Sequence, residues 1–257
     1  MTKPSAAIPV RQLLERYWAE SSRPLISLVF IAPMLVVYEI GLLLLGQPAV
    51  RSGADIWLRK FFNVIGLDQY FLLPILTCAI LLAWHHVKGD EWNVGWMVLY
   101  GMFIESVVVG TSLLLLGYCQ HALIGSPASS WTLATWNDGH GAAWLAYLGA
   151  GIYEELLFRL ILLPAIIALL CGCGITRSVS LVTAIAVGSL LFSLAHYRFD
   201  LTIGSLQLAN VTGDPFDLVT FSFRFLAGVI FSLLFVYRGF GVAAGAHALY
   251  DIFLAGW

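Results

Sequence analysis

The chain has 257 residues, of which 60% are apolar and 11% charged, with 13 Lys and Arg against 15 Asp and Glu for a net charge of −2. A water-soluble domain averages roughly 45–50% apolar and about 25% charged, so this composition excludes a soluble globule and predicts a polytopic membrane protein. The near-neutral balance lacks the basic footprint of a nucleic-acid binder, and no nucleic-acid partner is expected.

Residues 1–24 read as a cytoplasmic amphipathic lead-in. Leu13, Leu14, Tyr17 and Trp18 recur at helical spacing with Arg11, Arg16 and Arg23 among them, a pattern suited to an anionic membrane surface. The first apolar run, Leu25–Gly46, is too long for a signal-peptide core and lacks a clear cleavage site, so it reads as a span. Residues 47–69 form a second amphipathic stretch, with Trp57, Phe61 and Ile65 on one face and Arg59 and Lys60 elsewhere. Spans follow at Tyr70–Val87 and Val94–Gly117, then a polar loop at 118–141. The four cysteines (Cys78, Cys119, Cys171, Cys173) show no metal spacing and read as small apolar residues.

The next apolar run, Ala142–Cys171, would make a straight helix of roughly 45 Å, longer than a hydrocarbon core of about 30 Å. Pro164, which removes a backbone donor, is the expected kink. Further spans are expected at Val179–Tyr197 and Leu218–Tyr237, separated by a turn-rich loop at 198–217, and Gly241–Trp257 is short for a full crossing. The predicted fold is all-α: a polytopic transmembrane helix bundle of about 7 (6–8) spans with amphipathic interfacial helices. It comprises the lead-in 1–24 and a single transmembrane bundle 25–257. With seven spans, Lys3, Arg11, Arg16, Arg23, Lys88, Arg177 and Arg238 fall on one side against Arg51, Arg59, Lys60 and Arg198 on the other, which favours a cytoplasmic N-terminus.

Ionisable groups inside apolar runs carry the functional information, because a mid-membrane charge costs at least about 2.5–3.5 kcal/mol. They are Glu39, Glu105, Glu154, Glu155, Arg159, His196, Arg224, His247 and Asp251. Glu155 and Arg159 are i,i+4 and can pair along one helix face, while Glu154 sits about 100° round and can point into a cavity. His196 ends the Phe192-Ser193-Leu194-Ala195-His196 segment, and His247 and Asp251 share a face. Each element alone also reads as a structural polar contact between helices. Together they suit activation of water, in which a carboxylate and an imidazole take its proton and a second imidazole stabilises developing negative charge. Glu39 and Glu105 read as interhelical partners, with Arg224 as a candidate cation. His85-His86 and Asp90-Glu91 read as interfacial residues.

Glu-Glu-x-x-x-Arg, Phe-x-x-x-His and His-x-x-x-Asp, in this order on hydrophobic segments, resemble the CPBP family of CAAX-protease and bacteriocin-processing enzymes. These are intramembrane glutamic proteases related to the type II CAAX prenyl endopeptidase. The resemblance covers about residues 142–257, the expected catalytic core, and Arg224-Phe225-x-x-Gly228 looks like the family's glycine-containing helix. It implies that Glu154 is the general base holding a water with His196, that Glu155 and Arg159 support this geometry, and that His247 stabilises the oxyanion. Asp251 stands where eukaryotic members carry Asn. An ionised Asp cannot donate to an oxyanion, so it is either protonated or orients His247.

The implied activity is metal-independent endopeptidase cleavage of a membrane-associated protein or peptide in the lipid bilayer, with no cofactor. The implied location is a bacterial inner (cytoplasmic) membrane. A rival reading places a divalent metal at Glu154, His196 and His247. Another is a non-catalytic transporter or scaffold/immunity protein with a buried polar network. The substrate-binding residues, the scissile bond and the oligomeric state are not assigned by the sequence.

Overall fold

A computed structural model describes residues 10–45, 51–67, 69–124, 140–204, 206–210 and 213–255. Lys3 and the rest of residues 1–9 of the expected lead-in, residues 125–139 of the expected polar loop and the last two residues of the chain lie outside them. The helices are α1 (Val10–Ser21), α2 (Pro24–Leu45), α3 (Gly53–Val64), α4 (Leu72–Lys88), α5 (Trp96–Ile124), α6 (His140–Glu155), α7 (Leu163–Gly172), α8 (Arg177–Leu194), α9 (Leu218–Arg238) and α10 (Phe240–Ala255). A π-helical stretch, Leu156–Leu162, joins α6 to α7, and strands β1 (Phe199–Ile203) and β2 (Leu206–Asn210) follow α8.

By length and composition α2, α5, the run from α6 to α7, α8 and α9 can cross a membrane, and α4 and α10 are shorter apolar helices. Counted together these are seven apolar segments, within the expected six to eight, and the protein is an all-α membrane bundle. Its outward surface carries exposed Val36, Leu44, Met97, Leu169 and Val182, as contact with hydrocarbon requires. The two ends of the bundle are distinguished by contacts. At one, Arg238 donates to Glu105 and Ser21, and the amide of Gly241 donates to Ser27. At the other, Gln120 donates to the Val219 carbonyl and the Ser222 hydroxyl. Those bonds explain why α5 continues to Ile124 where a loop from residue 118 is expected: Gln120 finds partners on α9 without leaving the helix.

Helix α10 is the axis of the bundle. Its sequence Gly241-Val-Ala-Ala-Gly-Ala-His-Ala248 is buried throughout, and small residues let helix backbones approach closely when no water-driven force presses them together. A Cβ on Gly151 of α6 would lie 2.7 Å from Ala248 Cβ and 2.8 Å from the Ala244 carbonyl. Gly239, with φ +85°, is the single residue between α9 and α10. Only a residue free of a Cβ reverses the chain there without strain.

Two local differences from the sequence reading have physical causes. The long run at 142–171 leaves α-helical register immediately upstream of Pro164, in the π-helical stretch, where the amide of Leu163 donates to the Phe158 carbonyl five residues back. Pro164 then falls in the first turn of α7, where a missing N–H costs little. The loop at 198–217 contains an antiparallel hairpin with Phe199 opposite Asn210 and Ile203 opposite Leu206. Gly204, at φ +60°, takes the left-handed position that a tight hairpin turn requires.

Substituting Gly151 by Val is expected to destabilise the bundle by about 1–3 kcal/mol through overpacking, read as a lower melting temperature in detergent. Gly172→Ala, where an added Cβ meets nothing within 4 Å, is expected to stay within about 0.5 kcal/mol of the parent.

Candidate active site

The structure brings all six sequence-predicted residues together. Glu154 and Glu155 close α6, Arg159 lies in the π-helical stretch, His196 follows the last turn of α8, and His247 and Asp251 share a face of α10. The close approach of α6 to α10 at Gly151 delivers the carboxylates one turn further on to His247. Glu155 is fully buried, and its Oε1 lies 2.8 Å from His247 Nδ1 and 3.0 Å from Arg159 Nη1. Buried charge survives in an apolar medium only when it is compensated, and here one oxygen is hydrogen-bonded to His247 of α10 and ion-paired with Arg159 of the π segment.

Arg159, 1% exposed, also donates from Nη2 to the Gly228 carbonyl at 3.2 Å. Its guanidinium carbon sits 4.3 Å from the ring centroid of Phe192 and 5.5 Å from that of Phe231, so cation–π attraction replaces part of the lost hydration. Gly228 is required at this crossing. A Cβ there would lie 3.0 Å from the Cα and Cβ of Ser189, and 3.2 Å from the Phe192 ring. The His247 ring stacks on Phe231 at 4.6 Å and 16°. Phe192, named in the sequence only as the first letter of a histidine motif, and Phe231, which has no signal in an aromatic-rich helix, together form the wall behind the ionic core.

Glu154 faces both imidazoles. Its Oε2 lies 3.8 Å from His196 Nε2 and 3.9 Å from His247 Nε2, and Asp251 Oδ2 lies 3.7 Å from the same His247 nitrogen. These separations exceed a direct hydrogen bond, and Glu154 Oε2 is buried without a hydrogen-bond partner among the described residues. His196 Nδ1 is 2.8 Å from the Phe192 carbonyl. A carbonyl only accepts, so Nδ1 carries the proton and Nε2 of the neutral ring is an acceptor turned to Glu154. Ser193 is spoken for: its hydroxyl donates to the Phe221 carbonyl at 2.9 Å.

The backbone around His196 is clamped by the segment that follows it. The Asp214 amide donates to the His196 carbonyl, the Arg198 amide donates to the Asp214 carbonyl, and Asn210 Nδ2 donates to the Ala195 carbonyl at 3.0 Å. Arg224 donates to Asp214 at 2.5 Å and lies over the Tyr197 ring.

Arg224 is therefore not the partner of Glu39 or Glu105, the one correction to their expected interhelical pairing. Glu105 binds Arg238 and accepts from Tyr17 at 2.7 Å, which ties α1 to the bundle and lets Tyr17 and Trp18 cover the Arg238 guanidinium. Glu39 accepts from the Tyr153 hydroxyl at 2.5 Å and lies 3.8 Å from Arg59. Arg59, expected on the polar face of an interfacial helix, instead turns inward to a fully buried Asp55 at 2.6 Å. Asp55 also accepts from Arg51 and Tyr38. His85, expected at the interface, is fully buried with its ring edge-on to Trp92 at 4.6 Å. Glu91 at 3.9 Å from Arg23 and Asp90 at 3.3 Å from Lys88 remain near the surface.

Residues 137–253 match the family model for type II CAAX prenyl endopeptidase Rce1-like proteins. The matched stretch contains Glu154, Glu155, Arg159, His196, His247 and Asp251. Neither curated proteins nor solved structures give a match.

Replacing Arg159 with Met, of similar length and uncharged, strands Glu155 in the apolar interior. The expected loss is about 3–5 kcal/mol of stability, measured as a fall in melting temperature. Arg159→Lys, which keeps the charge, is expected to lose less.

Proposed function

We propose, from the match of residues 137–253 to the family model for type II CAAX prenyl endopeptidase Rce1-like proteins, that this chain is a glutamic intramembrane endopeptidase in which Glu154 and His196 activate water. The protein is a multi-pass membrane protease. One observation supports this mechanism: two acceptors, Glu154 Oε2 and His196 Nε2, face each other at 3.8 Å. One water at hydrogen-bond length from both gives a proton to each. Its lone pairs are then turned outward, toward an approaching carbonyl carbon.

Glu154 takes the water proton as the oxygen attacks the scissile carbonyl, and returns it to the leaving amine as the C–N bond breaks. The oxyanion of the tetrahedral intermediate needs a donor. The Nδ1–H of His247 donates a hydrogen bond to Glu155, and as an imidazolium the ring has a second N–H at Nε2, the nitrogen that faces Glu154. Asp251, 3.7 Å from that nitrogen, supports a role in orienting His247. Glu155 and Arg159 fix the His247 tautomer and ring plane.

The substrate is a membrane-associated peptide or protein. The family's name specifies a prenylated CAAX terminus, and we extend to this chain the peptide at the membrane. We further propose a bacterial inner membrane with the N-terminus cytoplasmic, the end at which α1, Arg23, Lys88 and Arg238 gather.

The test compares protein termini in cells carrying the parent chain and Glu154→Gln. At least one cleavage product is expected to vanish in the variant. A quenched fluorescent peptide spanning that cleavage site then serves as substrate for the purified protein. On it, Glu154→Gln and His196→Ala are each expected to lower turnover at least 1,000-fold, with membrane insertion and melting temperature retained. Normal turnover by Glu154→Gln overturns the mechanism, and an unchanged set of termini favours a transporter or scaffold. Activity is expected to survive exhaustive chelation. Loss restored by a stoichiometric divalent metal moves Glu154, His196 and His247 to the metal reading.

A further inference from the structure

The general base proposed above has one carboxylate oxygen that no hydrogen bond holds among the described residues. Glu154 Oε2 is buried without a hydrogen-bond partner among the described residues, and the chain beyond Glu155 leaves α-helical register for the π-helical stretch Leu156–Leu162. A π segment replaces i→i+4 bonds with i→i+5 bonds, which shifts the rotational register between α6 and α7. What sets the direction of Glu154 must act on its neighbours.

Two pins are visible, one on each side. Glu155 is fastened to His247 and Arg159, as described. Tyr153 is fully buried, donates to Glu39 on α2 at 2.5 Å and meets the Tyr38 ring edge-on at 5.6 Å. Successive side chains on a helix diverge by about 100°. Fixing Tyr153 against α2 and Glu155 against α10 therefore leaves Glu154 a single direction, toward His196 and His247. Gly149 permits the first pin: a Cβ there would overlap the Tyr38 ring.

Glu39 is in turn set by α3. Arg59 reaches within 3.8 Å of it, donates to Asp55 at 2.6 Å and donates to the Tyr70 carbonyl at 2.6 Å. The same helix touches the hairpin through Trp57 and Phe199, ring centroids 5.5 Å apart. Asn210 at the hairpin's end donates to the Ala195 carbonyl, and Asp214 beyond it is bonded to the His196 carbonyl and the Arg198 amide. The contacts form a closed circuit from Tyr153 through α2, α3 and the hairpin to His196.

We infer that Glu39 and Tyr153 are positioning residues for the reaction: their hydrogen bond fixes the rotation of α6 that aims Glu154 at the water shared with His196. A buried polar pair of this kind specifies geometry more than it adds stability. This inference rests on the reading of Glu154 as the base.

The experiment measures kcat, KM and melting temperature on the peptide substrate for Tyr153→Phe, Glu39→Leu, Glu39→Gln and the double variant Tyr153→Phe/Glu39→Leu. Tyr38→Phe is the control. It removes a hydrogen bond to Asp55 in the same cluster and leaves the Tyr153–Glu39 pair intact. Tyr153→Phe and Glu39→Leu are each expected to lower kcat about tenfold with KM within twofold. The double variant is expected to be no worse than the poorer single, because both remove one interaction. Glu39→Gln, whose amide oxygen still accepts from the tyrosine, is expected to keep kcat within twofold.

The inference is overturned if kcat follows melting temperature across the set, with Tyr38→Phe losing as much as Tyr153→Phe. It is also overturned if Glu39→Gln falls as far as Glu39→Leu while remaining folded, a result that needs no folded Tyr153 variant. Full activity in Tyr153→Phe beside an inactive Glu154→Gln removes the positioning role alone. An active Glu154→Gln removes the reading beneath it.

Discussion

One carboxylate oxygen, Glu155 Oε1, holds the site together. It is shared between an imidazole on α10 and a guanidinium in the π-helical stretch, and its burial admits no substitute from water. Around it the structure supplies what a buried ion pair needs: two phenylalanine faces for the arginine, a carbonyl freed by Gly228, and a stacked ring behind His247. The requirement that this charge be satisfied dictates which helices adjoin. It also explains why α10 must be a central helix of small residues and why α8 and α9 cross at a glycine.

The site lies inside the bundle because its members arrive on apolar helices, yet it is not sealed in hydrocarbon. His196 leaves α8 for a polar segment in which Asp214, Asn210 and Arg198 are bonded to one another or to the backbone around the histidine, with Arg224 of α9 donating to Asp214. Hydrolysis of a peptide at a membrane needs both conditions: a surface on which an apolar substrate can arrive, and a polar edge from which water can enter. The α3 cluster of Asp55, Arg59, Arg51 and Tyr38 supplies a second polar body beside the same end of the bundle.

The six site residues are legible in the sequence because each is an ionisable group on an apolar run, where chance placement is expensive. Their convergence is legible only as an order of motifs; the distances come from the fold. Arg59 and Asp55 are not legible in this way. They lie on a helix whose alternating faces look interfacial, and nothing local says that a cation turns inward to meet Glu39 from another helix. The aromatic wall is equally hidden, since Phe192 and Phe231 are two among 16 phenylalanines. The hairpin had a signal. Phe199, Leu201 and Ile203, then Leu206 and Leu208, alternate on either side of Gly204-Ser205, a period of two that a reading weighted toward turn residues passes over. The π stretch has no comparable signature, and Pro164 draws attention away from it.

That hairpin has a mechanical meaning. A five-residue strand extends about 17 Å; the first strand of this hairpin continues directly from the chain after His196, and Asn210 at the end of the second is bonded to the Ala195 carbonyl. A load applied at the turn is therefore delivered to the base of the lever, where the imidazole sits, and not dissipated along α8. Through Trp57 of α3 the hairpin is also tied to the contacts that hold Tyr153 beside Glu154, so its one outer strand pair is coupled to both sides of the site.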